Sequence, residues 1–183
     1  TAHGLVRFTR RYRIAAVIDS RLPGEDAGEL LDGRPNGIPV VADLAAIAIE
    51  ELRPHRGGEI WYRQSARHEP VEASLADDLA DEGVHAVAGC IDDVIVGYGV
   101  IRREAVREAT LGVASDLYVL DGARGVGVGE AIMNAMIDWA RAEGCVGVDS
   151  VALPGDRATK NFFESFGLKA RAIVVHRSLT EEA

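Results

Sequence analysis

Three glycines at alternate positions follow an arginine in the run Leu117-Tyr118-Val119-Leu120-Asp121-Gly122-Ala123-Arg124-Gly125-Val126-Gly127-Val128-Gly129. The run opens on apolar residues at strand-like length, and from Glu130 onward the apolar positions fall at helical spacing. A strand that feeds a glycine-rich turn at a helix start leaves several backbone N–H groups pointing outward without partners. With the helix dipole behind them, these groups make an anion cradle suited to phosphate. Glycine also removes the Cβ atoms that would hold a phosphate away from the amides. The chemistry written into this stretch is binding of a phosphorylated cofactor.

The spacing narrows the choice of cofactor. A P-loop ends in Gly-Lys-Ser/Thr, whereas Gly129-Glu130-Ala131 supplies neither the cation nor the magnesium-binding hydroxyl. A dinucleotide fingerprint runs G-x-G-x-x-G and opens its fold, but here the spacing is G-x-G-x-G and an antiparallel hairpin is expected to precede it. Asp149, on the next expected strand, stands about where a ribose-binding acid would sit and is the feature in favour of that second reading.

Two unequal parts must position the loop. Residues 1–53 read as a small β-α-β-α unit: a strand over 12–19, a brief helix over 24–31, a turn at Asn36-Gly37 and a strand over 38–42. A helix from Leu44 to about Leu52 follows, capped by Asp43 and stopped by Arg53-Pro54. Some fifty residues hold little core of their own, so this unit is expected to lean on the rest of the chain. Alternatively it completes its sheet on another subunit, in which case the protein is a homodimer. His55-Arg56-Gly57-Gly58 is the expected linker, and residues 58–183 form the second domain.

In that domain the pattern predicts a strand over 59–63, a helix over 70–80 and a strand over 85–90. Asp92-Asp93 turns into a strand over 94–101, and another strand covers 110–120. The helix over 129–142 carries Ala131, Ile132, Ala135, Met136, Trp139 and Ala140 on one face and stops at Gly144. A strand over 146–153 follows, then a helix capped by Asp156 and running to Phe166, then a closing strand over 171–178.

The chain has 29 acidic and 20 basic residues, a net charge of −9. Charges balance in residues 1–47, so the whole excess lies in residues 48–183. This balance argues against a nucleic-acid partner and favours a cationic one such as an amine. Cys90 and Cys145 are isolated in apolar segments, as buried thiols are in a reducing cytosol, and no metal site is expected. No apolar run approaches the roughly 18–20 residues of a membrane span, and no signal peptide is visible, so a cytoplasmic protein is expected.

Residues 124–129 match R-x-x-G-x-G, and over about residues 58–178 the chain resembles the GNAT superfamily of acyl-CoA N-acyltransferases. The order of hairpin, strand, loop, long helix, strand, short helix and strand is similar. The segment from Ala158 to Leu168 (ATKNFFESFGL) resembles the family's second motif, which typically ends aromatic-x-x-x-Gly-Phe. The fold implied is α+β, a mostly antiparallel central sheet with flanking helices, with the N-terminal unit appended. Residues 1–53, with AVIDS at 16–20 and GIPVVADL at 37–44, resemble the start of Rossmann-like N-terminal domains of some uncharacterised bacterial proteins, without a glycine fingerprint.

The resemblance implies transfer of acetyl from acetyl-CoA to a primary amine of a small molecule or a peptide. Leu117, Tyr118 and Val119 would lend backbone groups to the pantetheine arm, and an amide near Val119 or Leu120 would donate to the thioester oxygen as it gains charge. Arg124 and the amides of Gly125, Val126, Gly127, Val128 and Gly129 would hold the pyrophosphate, and Asn161 would touch the cofactor. Asp116, where many members carry a Glu, is the expected base for the attacking amine, with Glu104 and Asp149 as alternatives. His85 and His176 read as structural. One departure stands out: Phe163 occupies the position where many members place a Tyr whose hydroxyl protonates the leaving thiolate. Asp156 stands where Asn is common and keeps its capping role. A reading from a different class follows from Phe163, that of a non-catalytic acyl-CoA-binding regulatory module.

Overall fold

The computed structural model describes residues 41–92 and 94–179. The expected strand over 12–19, the helix over 24–31, the turn at Asn36-Gly37 and most of the strand over 38–42 lie outside the described residues, as does Asp93 of the hairpin turn.

Helix α1 spans Val41–Leu52, so Val41 and Ala42, expected to end a strand, open a helix instead. Its alanine-rich sequence has high helix propensity, and Ala42, Leu44, Ala45 and Ala48 are buried on one helical face. Helix α2 spans Gly58–Ser65 and replaces the strand expected over 59–63. A five-residue aromatic run is too short for its period to choose between states. The helix is helped by Glu59, which accepts from Arg63 one turn on and from Arg53 before it. Helix α3 spans Val71–Ala80, as the pattern predicts.

Strands β1 (Val84–Ile91), β2 (Val94–Val106) and β3 (Ala109–Val119) form an antiparallel meander, and β4 (Gly147–Ser150) pairs parallel to β3. The sheet order is β1-β2-β3-β4. Between β3 and β4 runs helix α4 (Val128–Ala142), and after β4 helix α5 (Arg157–Ser165). The fold is therefore α+β, with a mostly antiparallel sheet between helices, as expected.

Each face of the sheet holds its own core. On one side α1 and α3 pack Leu44, Ala45 and Leu75 against Tyr98, Val100 and Tyr118. So α1, on the N-terminal side of the expected linker, contributes to a core built on residues of the second part. On the other side α4 packs Ile132, Met133 and Met136 with Ile101, Ala114 and Phe163. The helix lies close to the sheet because β1 and β2 present glycine to it. A Cβ at Gly99 would fall 2.5 Å from Ile132 Cγ2, and one at Gly89 would fall 2.6 Å from Val128 Cγ1.

Two irregularities shape the site. Val100 pairs with Asp116 and Ile101 with Ala114, so Ser115 is an extra residue that bulges β3. The β3–β4 ladder runs only from Leu111↔Gly147 to Ala114↔Ser150, although β3 continues to Val119. Beyond Ala114 the two chains diverge, and β4 is four residues long rather than the eight expected over 146–153.

The closing strand expected over 171–178 does not form. Its β-branched sequence has no partner strand among the described residues, and a strand exists only through its ladder. Ile173, Val174 and Val175 are 87%, 91% and 88% exposed.

Candidate active site

The glycine-rich loop begins where β3 ends. Leu120 turns the chain, Asp121–Ala123 make one turn of 3-10 helix, and Arg124 leads into Gly125 and Gly127. Gly125 and Gly127 have φ of 77° and 96°, a left-handed backbone that side chains with a Cβ rarely adopt. Gly127 is the N-cap of α4, and no side chain caps this end. The first intrahelical bond is from Ala131 N–H to Gly127 O. The N–H groups of Val128, Gly129 and Glu130 therefore have no carbonyl one turn back, and the positive end of α4 is open to an anion. Gly129 has a different reason to be glycine: a Cβ there would sit 3.4 Å from the Phe162 ring. Val128 is buried in the core, while Val126 is 59% exposed.

Strand β3 offers its backbone to the gap beside it in alternation. Leu120 N–H donates to Val96 O, across the β2 side. By the two-residue period of an antiparallel ladder, Tyr118 also turns its backbone to β2, whereas Leu117 and Val119 turn theirs to the open edge. Val119 O confirms the direction, since it accepts from Arg124 Nε at 2.8 Å. Of the backbone groups expected to serve the pantetheine arm, those of Leu117 and Val119 face the opening, and the amides of Tyr118 and Leu120 belong to the sheet.

Arg124 is half-exposed and held by three partners. Besides Val119 O, its Nη1 donates to Asp121 Oδ1 at 3.2 Å and its Nη2 to Glu51 Oε2 at 3.1 Å. Glu51, at the end of α1, also accepts from the Tyr118 hydroxyl at 2.7 Å. Burial, with the hydrogen bond and charge of Glu51, pushes the Tyr118 hydroxyl up to about 12. Sequence reasoning missed Glu51, which no local motif marks.

Asp116 stands in a network of charges on the α1/α3 face of the sheet. Arg67, before α3, donates to it twice, Nε to Oδ1 at 2.9 Å and Nη2 to Oδ2 at 2.8 Å. The Tyr98 hydroxyl donates to Oδ1 at 3.1 Å and Ser115 Oγ to Oδ2 at 2.7 Å. Four donors thus occupy the lone-pair directions of one carboxylate. Arg67 also donates to Asp78 of α3 at 2.6 Å, and Asp78 accepts from Arg102. The Arg67 side chain is 6% exposed. The expectation of Asp116 as a base meets a carboxylate with no lone pair left for an amine or a water.

The alternatives lie elsewhere. Asp149 is taken by Arg171, whose hydrogen bonds hold its carboxyl below the usual range. Glu104 lies on β2 opposite Leu111, away from the loop end of β3. His85 stacks on Trp139 at 5.5 Å, and burial lowers its pKa, as befits a structural histidine. His176 falls in the exposed segment after α5. Asn161 is exposed on α5. Phe163 is 7% exposed in the core under α4, edge-on to Phe162 at 5.8 Å. Asp156 caps α5, accepting from Thr159 N–H at 3.0 Å. Among the described residues no three His, Cys, Asp or Glu side chains are grouped to hold a metal ion.

Residues 47–168 match the family model described as the acetyltransferase (GNAT) family. The chain belongs to that family. The match takes in every element from the later part of α1 to Leu168, including the loop at 124–129. A search of curated proteins found no match to this acetyltransferase. Among solved structures, it is similar to a mutant of the BH1408 protein from Bacillus halodurans, with a TM-score of 0.63 and 19% identity over 76% of this chain and 92% of that one. It is similar also to a ribosomal-protein-alanine N-acetyltransferase from Brucella melitensis, with a TM-score of 0.55 and 17% identity over 75% and 90% of the two chains. A third is the aminoglycoside acetyltransferase AAC(6')-Iy bound to a bisubstrate analogue, with a TM-score of 0.53 and 19% identity over 73% and 92%. At these identities the likeness is one of fold. No described helix of this acetyltransferase is long and apolar enough to cross a membrane.

Proposed function

We propose that this acetyltransferase moves acetyl from acetyl-CoA to a primary amine of a small molecule or peptide. The observation that carries the reading is the divergence of β3 from β4 just before an uncapped helix N-terminus. An opening with strand backbone along one side leads to free amides at its end, which suits a thioester on a long arm ending in pyrophosphate. Leu117 and Val119 would bind the arm through their outward backbone groups. Gly127 to Glu130 would meet the pyrophosphate, joined by Arg124 once it leaves its carboxylate partners. Acetyl-CoA supplies an acyl carbon that the uncharged amine attacks, forming the C–N bond as the C–S bond breaks, and CoA leaves as a thiolate that takes its proton from water, since Phe163 has none to give. The names of the ribosomal-protein-alanine and aminoglycoside enzymes of like fold record amine acceptors, and the net charge of −9 suits a cationic one.

Asp116 enters this proposal as a positioning residue. It ties Arg67 to β3 and so fixes the chain before α3 against the sheet. The amine then loses its proton to water rather than to Asp116.

The buried Phe163 favours a second reading, binding of acyl-CoA without turnover. A CoA-release assay over a panel of amines separates the two. Release above the buffer rate with at least one amine supports transfer, whereas saturable acetyl-CoA binding with no release over the panel supports the binding module.

A further inference from the structure

The linker between α1 and α2 crosses the opening beside β3. At its start, Glu51 of α1 accepts from the Tyr118 hydroxyl and from Arg124, which ties this end to the last residues of β3 and the loop after it. At its other end, a Cβ at Gly57 would fall 3.7 Å from Pro154 Cδ, so the linker there lies against the chain that follows β4. Strands β3 and β4 part after Ala114↔Ser150. A segment tied to Tyr118 on one side and reaching Pro154 on the other therefore bridges the gap between them. It does so on the α1/α3 face, while on the opposite face α5 packs against the start of α4, with the Phe162 ring at Gly129. An amine that meets a thioester in the gap from the α1/α3 face passes this linker.

Among the linker residues Arg53-Pro54-His55-Arg56-Gly57, His55 alone has a side chain that can take up a proton near neutral pH. Its backbone is held on both sides, the N–H donating to Leu52 O at 3.0 Å and the carbonyl accepting from Gly58 N–H at 2.7 Å. The residue is exposed, and its charge reaches Asp156, the N-cap of α5. Partial burial works to raise the Asp156 carboxyl, and the Thr159 hydrogen bonds together with His55 outweigh it. The other charged groups of this region are Arg53, taken by Glu59 and the Tyr62 ring, Glu51, taken by Tyr118 and Arg124, and the exposed Arg56.

We propose that His55 is the proton acceptor of the acetyl transfer, taking through one water a proton that the attacking amine gives up. The inference rests on the transfer reading above and fills the place that Asp116, surrounded by four donors, does not. An ammonium ion gives up two protons on becoming an amide. One passes through water to the CoA thiolate as the C–S bond breaks, and the other through water to His55 and on to solvent. The imidazolium formed in between is stabilised by the Asp156 carboxylate.

The pH profile of kcat for CoA release, with an amine that the unaltered chain accepts, tests this. In the unaltered protein kcat should fall on the acid side as His55 protonates. His55→Gln should lower kcat at neutral pH on the order of a hundredfold and remove the acid limb. Its acetyl-CoA affinity by calorimetric titration and its far-ultraviolet circular dichroism should not change. Free imidazole should restore part of the rate to His55→Ala. Asp156→Asn should move the acid limb to lower pH, because the imidazolium loses its carboxylate. An unchanged kcat and profile in His55→Gln would overturn the assignment and leave the transfer reading intact. So would a lowered kcat whose acid limb persists, the mark of a structural role, or a limb that stays in place in Asp156→Asn. No CoA release from the unaltered chain with any amine would overturn both readings.

Discussion

Arg67 grips Asp116 with two parallel hydrogen bonds, at 2.9 and 2.8 Å, and reaches Asp78 with a third, at 2.6 Å. The two acids come from β3 and α3, so one nearly buried guanidinium joins helix, loop and sheet. Removing it leaves Asp116 without a cation and Asp78 with Arg102 alone, in a site mostly closed to water. Losing one partner of such a pair costs about 3–5 kcal/mol. Arg67→Ala should therefore lower the free energy of urea unfolding by about that amount. A loss under about 1 kcal/mol, the range of exposed pairs, would show that the network is not structural.

If Arg124 holds the pyrophosphate as proposed, Glu51, which accepts from its Nη2, would compete with phosphate for it. The pair is half-exposed, so its strength is about 0.2–1 kcal/mol and salt-sensitive. Glu51→Gln should tighten acetyl-CoA binding up to about fivefold at low salt, with the gain fading at high salt, as calorimetric titration would read. Weaker binding in the variant would mean instead that Glu51 orients Arg124 for the ligand.

Alkaline pH should unfold the protein through its tyrosines. Burial raises the hydroxyl pKa of Tyr98, and burial with Glu51 raises that of Tyr118 to about 12. In the unfolded chain both ionise near pH 10. A folded pKa above the unfolded value means that the contribution is complete below about pH 10 and is lost as pH rises towards 12. Unfolding free energy measured across that window should fall steadily, and Tyr118→Phe should flatten the fall. A flat profile in the unaltered protein would contradict the burial of both hydroxyls.

Asp156 gives a test at the other end of the pH scale. Partial burial works to raise its pKa, but the Thr159 hydrogen bonds outweigh it and hold the carboxyl below its ordinary value. The cap is thus worth most above the unfolded pKa of about 4 and is lost as pH falls through the folded one. Asp156→Ala should cost about 1 kcal/mol at neutral pH. Asp156→Asn should keep most of the cap and remove its acid dependence, which denaturation curves at neutral and acid pH would reveal.

How far the sequence spoke depended on where each signal resides. The loop, the meander and α4 were legible because their signals are local: alternating glycines, a short turn, a single apolar helical face. Asp156 before α5 was legible for the same reason, as a cap three residues from its donor. Arg67 and Asp116 lie 49 residues apart, and Glu51 and Arg124 lie 73 apart, so only the folded chain brings them together. That is why Asp116 read as a base when it is surrounded by donors. The aromatic run in α2 and the arm after α5 failed differently. The first was too short for its period to speak, and the second has strand composition without a ladder among the described residues.

The claim on which the account rests most is that the turn from Arg124 to Gly129 holds the pyrophosphate of acetyl-CoA. Calorimetric titration of acetyl-CoA into the unaltered chain and into Gly127→Val tests it most directly. Gly127 sits at φ 96° with the open amides of α4 behind it, so valine should distort the cradle and shut out the ligand. Saturable binding that vanishes in the variant, with thermal unfolding still cooperative, is the predicted result. Equal affinity in the two proteins would contradict the account.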